Sequence, residues 1–222
     1  MPSSTVENYL KQILIVTLDE NCSKVPMGKV ATELSVTPGT ATSMAKNMER
    51  DGWLTYYPRQ GVALTRKGRK VAMNMLRRHR LLETFLVETL DLDWSEIHAE
   101  AEELEHAISE KVLEKLDDFL GRPRFDPHGD PIPSRGGVIQ QMASKPLSDF
   151  PKDANVRIES IVDQDKEFLR FARKSNLVPG QLFKIIGKED CADAITLKTS
   201  KGKMVNLGFR SAEKVLALPY ES

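Results

Sequence analysis

Residues 37–64 decide how this chain is read: Thr37-Pro38-Gly39-Thr40-Ala41-Thr42-Ser43-Met44-Ala45-Lys46-Asn47-Met48-Glu49-Arg50-Asp51-Gly52, then Trp53-Leu54-Thr55-Tyr56-Tyr57-Pro58-Arg59-Gln60-Gly61-Val62-Ala63-Leu64. Thr37 is a good helix N-cap, and Pro38 sits at the first helical position, where a missing N–H costs nothing. The helix runs to about Asp51 and stops at Gly52. At about 100° per residue, Ala41, Met44, Ala45 and Met48 share one face, and Gly39, Thr40, Ser43, Lys46, Asn47 and Arg50 share the other. Trp53–Tyr57 is rich in strand formers, Pro58–Gly61 is a turn, and Val62–Leu64 can return as a second strand.

Toward the N-terminus, Val6, Leu10, Ile13, Leu14 and Leu18 recur at helical spacing and predict a helix over 5–19. A shorter helix fits 27–34 with Val30, Ala31 and Leu34 inward, and Ser35-Val36 make a tight connection. Helix, short helix, helix and basic-tipped hairpin together make a winged helix-turn-helix. A helix entering a major groove needs short donors and acceptors near its start and cations that reach phosphates. Thr37, Pro38, Gly39, Thr40, Ser43, Lys46, Asn47 and Arg50 supply these on the third helix. Arg59 and Gln60 sit at the wing tip, where they would lie along the DNA backbone. A polar helix face alone is equally a solvated surface; the order of elements is what points to double-stranded DNA.

Of the 222 residues, Lys+Arg and Asp+Glu number 32 each. The zero net charge hides a segregation. Residues 1–80 carry 13 basic and 6 acidic side chains, and residues 81–120 carry 2 and 13. A polyanion site followed by a cation site fits that order. Cys22 and Cys191 are too few for a disulfide framework or a CxxC zinc motif, so a reducing cytoplasm is expected. No apolar run approaches the roughly 20 residues needed to span a bilayer.

Thr65 can cap a long helix through about Leu90, and Ser95 another that ends near Gly121, with Ile97, Ala101, Leu104, Ile108 and Val112 as its core stripe. On that second helix His98, Glu102, Glu105 and His106 fall within about 100° of arc, beside the apolar stripe. His79 and Glu83 are i,i+4 neighbours on the preceding helix. Crowded carboxylates repel one another, and a divalent cation relieves the repulsion. Imidazole and carboxylate without thiolate suit Mn²⁺ or Fe²⁺.

Met48-Glu49-Arg50-Asp51-Gly52, His79-Arg80-Leu81-Leu82-Glu83, His98, and Glu102-Glu103-Leu104-Glu105-His106 resemble, in that order, the diphtheria-toxin-repressor family of metal-dependent bacterial regulators. Phe125-Asp126-Pro127-His128-Gly129-Asp130-Pro131-Ile132-Pro133 resembles the family's proline-rich connector. The resemblance implies a regulatory metal site at Asn8, Glu102, Glu105 and His106, and an ancillary site at His79, Glu83, His98 and Asp165. Glu102 stands where iron-sensing members often have a cysteine, which favours manganese. Two positions depart from the pattern. Asn8 stands where the family offers Met or Asp, and Lys11 stands where manganese-type members can use Glu; Glu7 is a possible substitute. The family pattern also puts a Gln ligand roughly where Phe168 stands.

The Pro- and Gly-rich stretch 121–150 reads as connecting chain. Beyond it, a strand starting at Val156, a helix over 165–175 and strands over 181–187, 193–199, 203–208 and 214–218 suggest a small barrel, which the resemblance makes SH3-like. The expected fold is mainly α with small β. Its parts are a winged-helix DNA-binding domain (1–72), a helical metal-binding and dimerisation domain (73–140), a linker (141–155) and an SH3-like domain of the FeoA type (156–222). The expected function is a cytoplasmic homodimer that binds a palindromic operator and represses metal-homeostasis genes when loaded with Mn²⁺ or Fe²⁺. Leu82, Phe85, Leu86, Leu104 and Ile108 are expected at its dimer interface. The rivals are a winged-helix regulator indifferent to metal, and a carboxylate/His metalloenzyme, for which no nucleophile motif or phosphate loop speaks.

Overall fold

The computed structural model describes residues 2–140, 142–162 and 165–220. The chain divides into two units. One comprises residues up to His79 with Glu105–Ile108 and Pro133–Val138, and the other Arg80–Leu104, Ser109–Ile132 and Ile139 onward.

In the first unit, α1 (Ser4–Asp19), α2 (Met27–Glu33) and α3 (Pro38–Arg50) precede a hairpin of β1 (Leu54–Tyr57) and β2 (Gly61–Leu64). The caps are those the sequence predicts. Ser3 Oγ accepts from Val6 N, and Thr37 Oγ1 accepts from Thr40 N. Each such cap contributes about 1 kcal/mol. The buried face of α3 is Ala41, Ala45 and Met48, packed in a core with Leu10, Ile13, Leu14, Val30, Leu54 and Val62. The hairpin is antiparallel with Leu54 opposite Leu64 and Tyr57 opposite Gly61, and Val25 adds a short bridge to Val62. Gly61 is required there: its φ is +114°, and a Cβ would lie 2.1 Å from the Val25 carbonyl oxygen. Thr65 caps α4 (Arg66–Glu88) by accepting from Gly68 N.

In the second unit, α5 (Ile97–Leu104) and α6 (Glu110–Phe119) are separate helices, which corrects the expectation of one helix from Ser95 to Gly121. Ser109 accepts from Val112 N and starts α6 afresh, so Glu105–Ser109 form a non-helical turn. The predicted stripe breaks with the helix: Ile97 and Ala101 are buried, but Leu104, Val112 and also Phe119 are exposed.

The sheet of this unit has six strands: β3 (Lys145–Pro146), β4 (Asn155–Ile161), β5 (Leu182–Glu189), β6 (Ala194–Thr199), β7 (Met204–Leu207) and β8 (Val215–Pro219). Their order is β3-β8-β4-β5-β6-β7, antiparallel throughout. Five strands are expected from the sequence; β3 lies in the stretch read as linker. No ladder joins β3 to β7 among the described residues, so hydrogen bonds do not close the barrel. Val156 and Ile158 of β4 face the core while Arg157 faces water, the period-2 pattern of a half-buried strand. Helix α7 (Lys166–Lys174) covers this core with Phe168, Leu169 and Ala172. A short α8 (Phe209–Glu213), unforeseen in the sequence, contributes Ala212.

Part of the Pro- and Gly-rich stretch is packed rather than connecting. Asp126 Oδ1 accepts from His128 N and Asp130 N, and Ile161 N donates to the His128 carbonyl. Gly129, at φ +90°, has room for no side chain, because a Cβ would lie 1.9 Å from the Glu159 carbonyl oxygen. Among the described residues no helix is long and apolar enough to cross a membrane.

Candidate metal centre and nucleic-acid interface

All ten predicted DNA-contacting residues are exposed: Thr37, Pro38, Gly39, Thr40, Ser43, Lys46, Asn47 and Arg50 on α3 and its cap, and Arg59 and Gln60 on the wing. Between helix and wing lies a shallow groove of about 740 Å³ lined by Ser43, Lys46, Asn47, Glu49, Arg50, Tyr56 and Pro58. Glu49 Oε1 accepts from Tyr56 N, which ties α3 to β1 and sets the angle between them. Arg50 donates to Asn47 Oδ1 on the same face. At the wing tip Arg59 is held at φ +65°, and Lys24 donates to Gln60 Oε1 while lying over the Tyr57 ring. These contacts pre-order a cationic, donor-rich surface. Lys24 and Tyr56 went unseen in the sequence because they join this surface only when the hairpin folds back.

The predicted metal residues fall in two groups. In the first unit, the turn Glu105–Ile108 is held from several directions. Arg78 donates to the carbonyls of Glu105 and Ile108. The Glu105 side chain, 0% exposed, receives Lys11 Nζ on Oε1 at 2.6 Å and lies 2.7 Å from His79 Nδ1 through Oε2. A carboxylate only accepts, so His79 Nδ1 carries the proton. Lys11 Nζ is 3.4 Å from that same nitrogen and 2% of Lys11 is exposed. Removing one partner of so buried a pair costs on the order of 3–5 kcal/mol. The resemblance assigns His79 to the ancillary set; here it contacts Glu105 of the regulatory set.

Beside this pair, His106 Nδ1 donates to Glu7 Oε2 at 2.7 Å. In the neutral ring its other nitrogen, Nε2, carries a lone pair. That lone pair is buried without a hydrogen-bond partner, 3.7 Å from Glu105 Oε1. Asn8 Oδ1 is a second buried acceptor without a donor. A ligating imidazole characteristically gives its spare N–H to a carboxylate or carbonyl, which fixes the tautomer and raises the basicity of the free nitrogen. Glu7, weighed in the sequence as a substitute ligand, fills that orienting place.

In the second unit, Glu83 is 1% exposed and its Oε1 lies 3.3 Å from His98 Nδ1; His98 Nε2 lies 3.7 Å from Glu102 Oε1. Ligand atoms of Glu83, Asp126 and His128 also converge within 4.8 Å of one another. His128 is 0% exposed, donates from Nε2 to the Trp94 carbonyl at 3.1 Å, and keeps Nδ1 as a buried lone pair without a partner. The Asp126 carboxyl is held well above the usual carboxylate range by burial, reinforced by Asp130 and Glu83 and only partly opposed by Arg80. Arg80 reaches Asp126 at 3.5 Å and Asp130 at 3.3 Å. A carboxyl that resists ionisation and a buried imidazole nitrogen without a hydrogen-bond partner are both met by a divalent cation. In the sequence Asp126 and His128 belong to the proline-rich connector. The signal was an Asp-x-His pair with a glycine next to it. Asp165 caps α7 by accepting from Phe168 N, and it belongs to no group of convergent ligand atoms among the described residues. Both donor sets, of imidazole, carboxylate and amide oxygen, fit Mn²⁺ or Fe²⁺.

Three consecutive stretches match known families: residues 1–62 an iron dependent repressor N-terminal DNA binding domain, 65–134 an iron dependent repressor metal binding and dimerisation domain, and 145–218 a FeoA domain. The chain is 32% identical over 222 residues to the iron-dependent repressor IdeR of Mycobacterium tuberculosis, covering 98% of this chain and 93% of that one. It is 31% identical over 158 residues to the diphtheria toxin repressor of Corynebacterium glutamicum, covering 69% and 68%. Among solved structures, a manganese-dependent transcriptional repressor in complex with manganese superposes with a TM-score of 0.89 at 30% identity, covering 97% of this chain and all of that one. The manganese regulator SloR gives 0.78 at 26% identity, covering 99% and 100%.

Proposed function

The chain belongs to the iron-dependent repressor family, that of the diphtheria toxin repressor, and from that premise we propose which of its residues read metal and which read DNA. It is a metal-dependent, DNA-binding transcriptional repressor and not an enzyme; it acts as a homodimer, with Mn²⁺ or Fe²⁺ as its effector.

The regulatory ion is taken by His106 Nε2, Glu105 and Asn8 Oδ1, and Glu102 joins by its sequence spacing. The observation that carries this is the pair of buried, donorless acceptors at His106 and Asn8 beside a carboxylate. A second ion is taken by Glu83, His98, Asp126 and His128, with His79 and Asp165 retained from the sequence pattern. The working segments are 1–72 for DNA binding, 73–140 for metal and dimerisation, 141–155 as linker and 156–222 as the FeoA-type domain.

The ion supplies a positive centre that draws Asn8 of α1 and the Glu105–His106 turn together. Holding them favours the arrangement in which two recognition helices meet successive major grooves of a palindromic operator, about 34–36 Å apart. A preference of ~100-fold for that arrangement shifts the balance by about 2.7 kcal/mol. The operators lie at metal-homeostasis genes, and the protein works in the cytoplasm.

A gel shift on the promoter of a neighbouring metal-transporter gene tests this. Retardation is expected with Mn²⁺ or Fe²⁺ and is lost with chelator or in His106→Ala. Equal retardation of His106→Ala and wild type at limiting metal would place the regulatory ion elsewhere. On the DNA side, Ser43→Ala changes base preference at one position by about 1–3 kcal/mol, whereas Arg59→Ala weakens all sequences alike and lowers the salt slope by about 1. Identical effects of both on a panel of operator variants would refute that division.

A further inference from the structure

Building on that reading, we infer that Lys11 is a tethered cation occupying one of the cation positions at Glu105, leaving the first unit a single place for a divalent ion, at His106 and Asn8. Three observations support this. Lys11 Nζ sits 2.6 Å from Glu105 Oε1 and 3.4 Å from His79 Nδ1, with the lysine and the glutamate both buried. An ammonium placed against the Glu105 carboxylate and beside the His79 ring has the position and charge that a metal ion would have there, but it is fixed to α1 by its own side chain. The second observation is that the same Glu105 oxygen faces His106 Nε2 at 3.7 Å, and this nitrogen, unlike the Lys11 side, has no hydrogen-bond partner. Both oxygens of the carboxylate are thus met by the chain, Oε1 by Lys11 and Oε2 by His79, while the His106 nitrogen beside Oε1 is left unmet. The third is the backbone of the turn, which Arg78 pins at Glu105 and Ile108, so the Glu105 carboxylate is presented to α1 in a fixed place whether or not an ion is present.

The consequence concerns how metal is sensed. One of the charges that neutralise this cluster comes with the polypeptide. The link from α1 to the Glu105 turn survives chelation, and the metal response reports the single remaining place. Lysine also cannot change its occupancy with metal supply, so this position is insensitive to competing cations.

Mn²⁺ bound per chain, counted from the loss of the free Mn²⁺ EPR signal on full-length protein at saturation, is the direct readout, with thermal midpoints measured in chelator and in Mn²⁺. Lys11→Glu is expected to hold one ion more than wild type, and Lys11→Arg the wild-type number. Lys11→Met is expected to melt lower than wild type in chelator and to gain more from Mn²⁺ than wild type does. A Lys11→Glu chain that folds only when Mn²⁺ is present supports the inference equally. If Lys11→Glu folds in neither condition, the Lys11→Met response decides. An unchanged ion count in Lys11→Glu, or a Mn²⁺ stabilisation of Lys11→Met equal to that of wild type, overturns it. The functional reading fails separately, if wild type takes up no Mn²⁺ and binds operator alike with and without chelator.

Discussion

The two units each bury carboxylates against imidazole, yet they deal with the charge differently. In the first, Lys11 stands inside the cluster and meets Glu105 directly. In the second, Glu83, Asp126 and His128 gather with the Arg80 guanidinium 3.5 Å from Asp126, and the carboxyl at position 126 is driven toward its neutral form. A charge supplied from within the chain makes a buried carboxylate a structural contact; a carboxyl that burial holds toward its neutral form is suited to meeting an ion from outside. The same residue types therefore carry different consequences depending on whether a flexible cationic side chain can reach them.

The largest expected effect tests the first half of that contrast. Glu105→Ala strands the Lys11 ammonium and the His79 N–H in the interior and is expected to lower stability by about 3–5 kcal/mol. Urea denaturation in chelator measures this; a loss below about 1 kcal/mol would mean that Lys11 escapes to solvent. Next, His128→Ala removes a buried lone pair from the second cluster and is expected to weaken Mn²⁺ there by at least about 10-fold. It should leave the chelator-sensitive operator binding in place. Competitive titration with a metal indicator measures the affinity, and an unchanged value would remove His128 from the donor set.

The smallest effect is a pH dependence. The Asp126 carboxyl in the folded chain lies above its unfolded value, so the folded state holds the proton longer. Wild-type stability in chelator therefore falls as pH rises from the ordinary carboxylate range toward the shifted value. Asp126→Asn keeps the oxygen that accepts from His128 N and Asp130 N but has no proton to lose. Its midpoint should overtake the wild type's by a few degrees as pH rises through that window, and Mn²⁺ should reverse the order. A difference between the two midpoints that is constant with pH would show that Asp126 is not strained by burial.

The winged-helix elements were legible because their signals are local. Thr37, Pro38 and Gly52 bracket α3, and alternation and turn residues mark the hairpin. The candidate metal residues were legible as a set; the turn that carries two of them was not. Periodicity suggests one helix from Ser95 to Gly121, since apolar spacing persists across Glu105–Ser109, but the Ser109 cap interrupts it. The wheel consequently placed four ligand candidates on one stripe, whereas Glu105 and His106 stand on a turn. Asp126 and His128 were passed over because Pro and Gly around them read as connecting chain, yet the stretch docks on β4 and buries both.

By itself the sequence determined most of the parts: the helices and hairpin of the first unit, five of the six strands of the sheet, a polar and exposed face on α3, and that histidine and glutamate accumulate after a basic block. These depend on dihedral preference, capping and periodicity over a few residues. Only the tertiary structure decided the pairings: Lys11 with Glu105, 94 positions away, Glu7 with His106, and Glu83 with Asp126 and His128. Such contacts form where the backbone brings distant side chains into an interior without water, and whether a charge is tolerated there depends on what meets it, not on its neighbours in sequence.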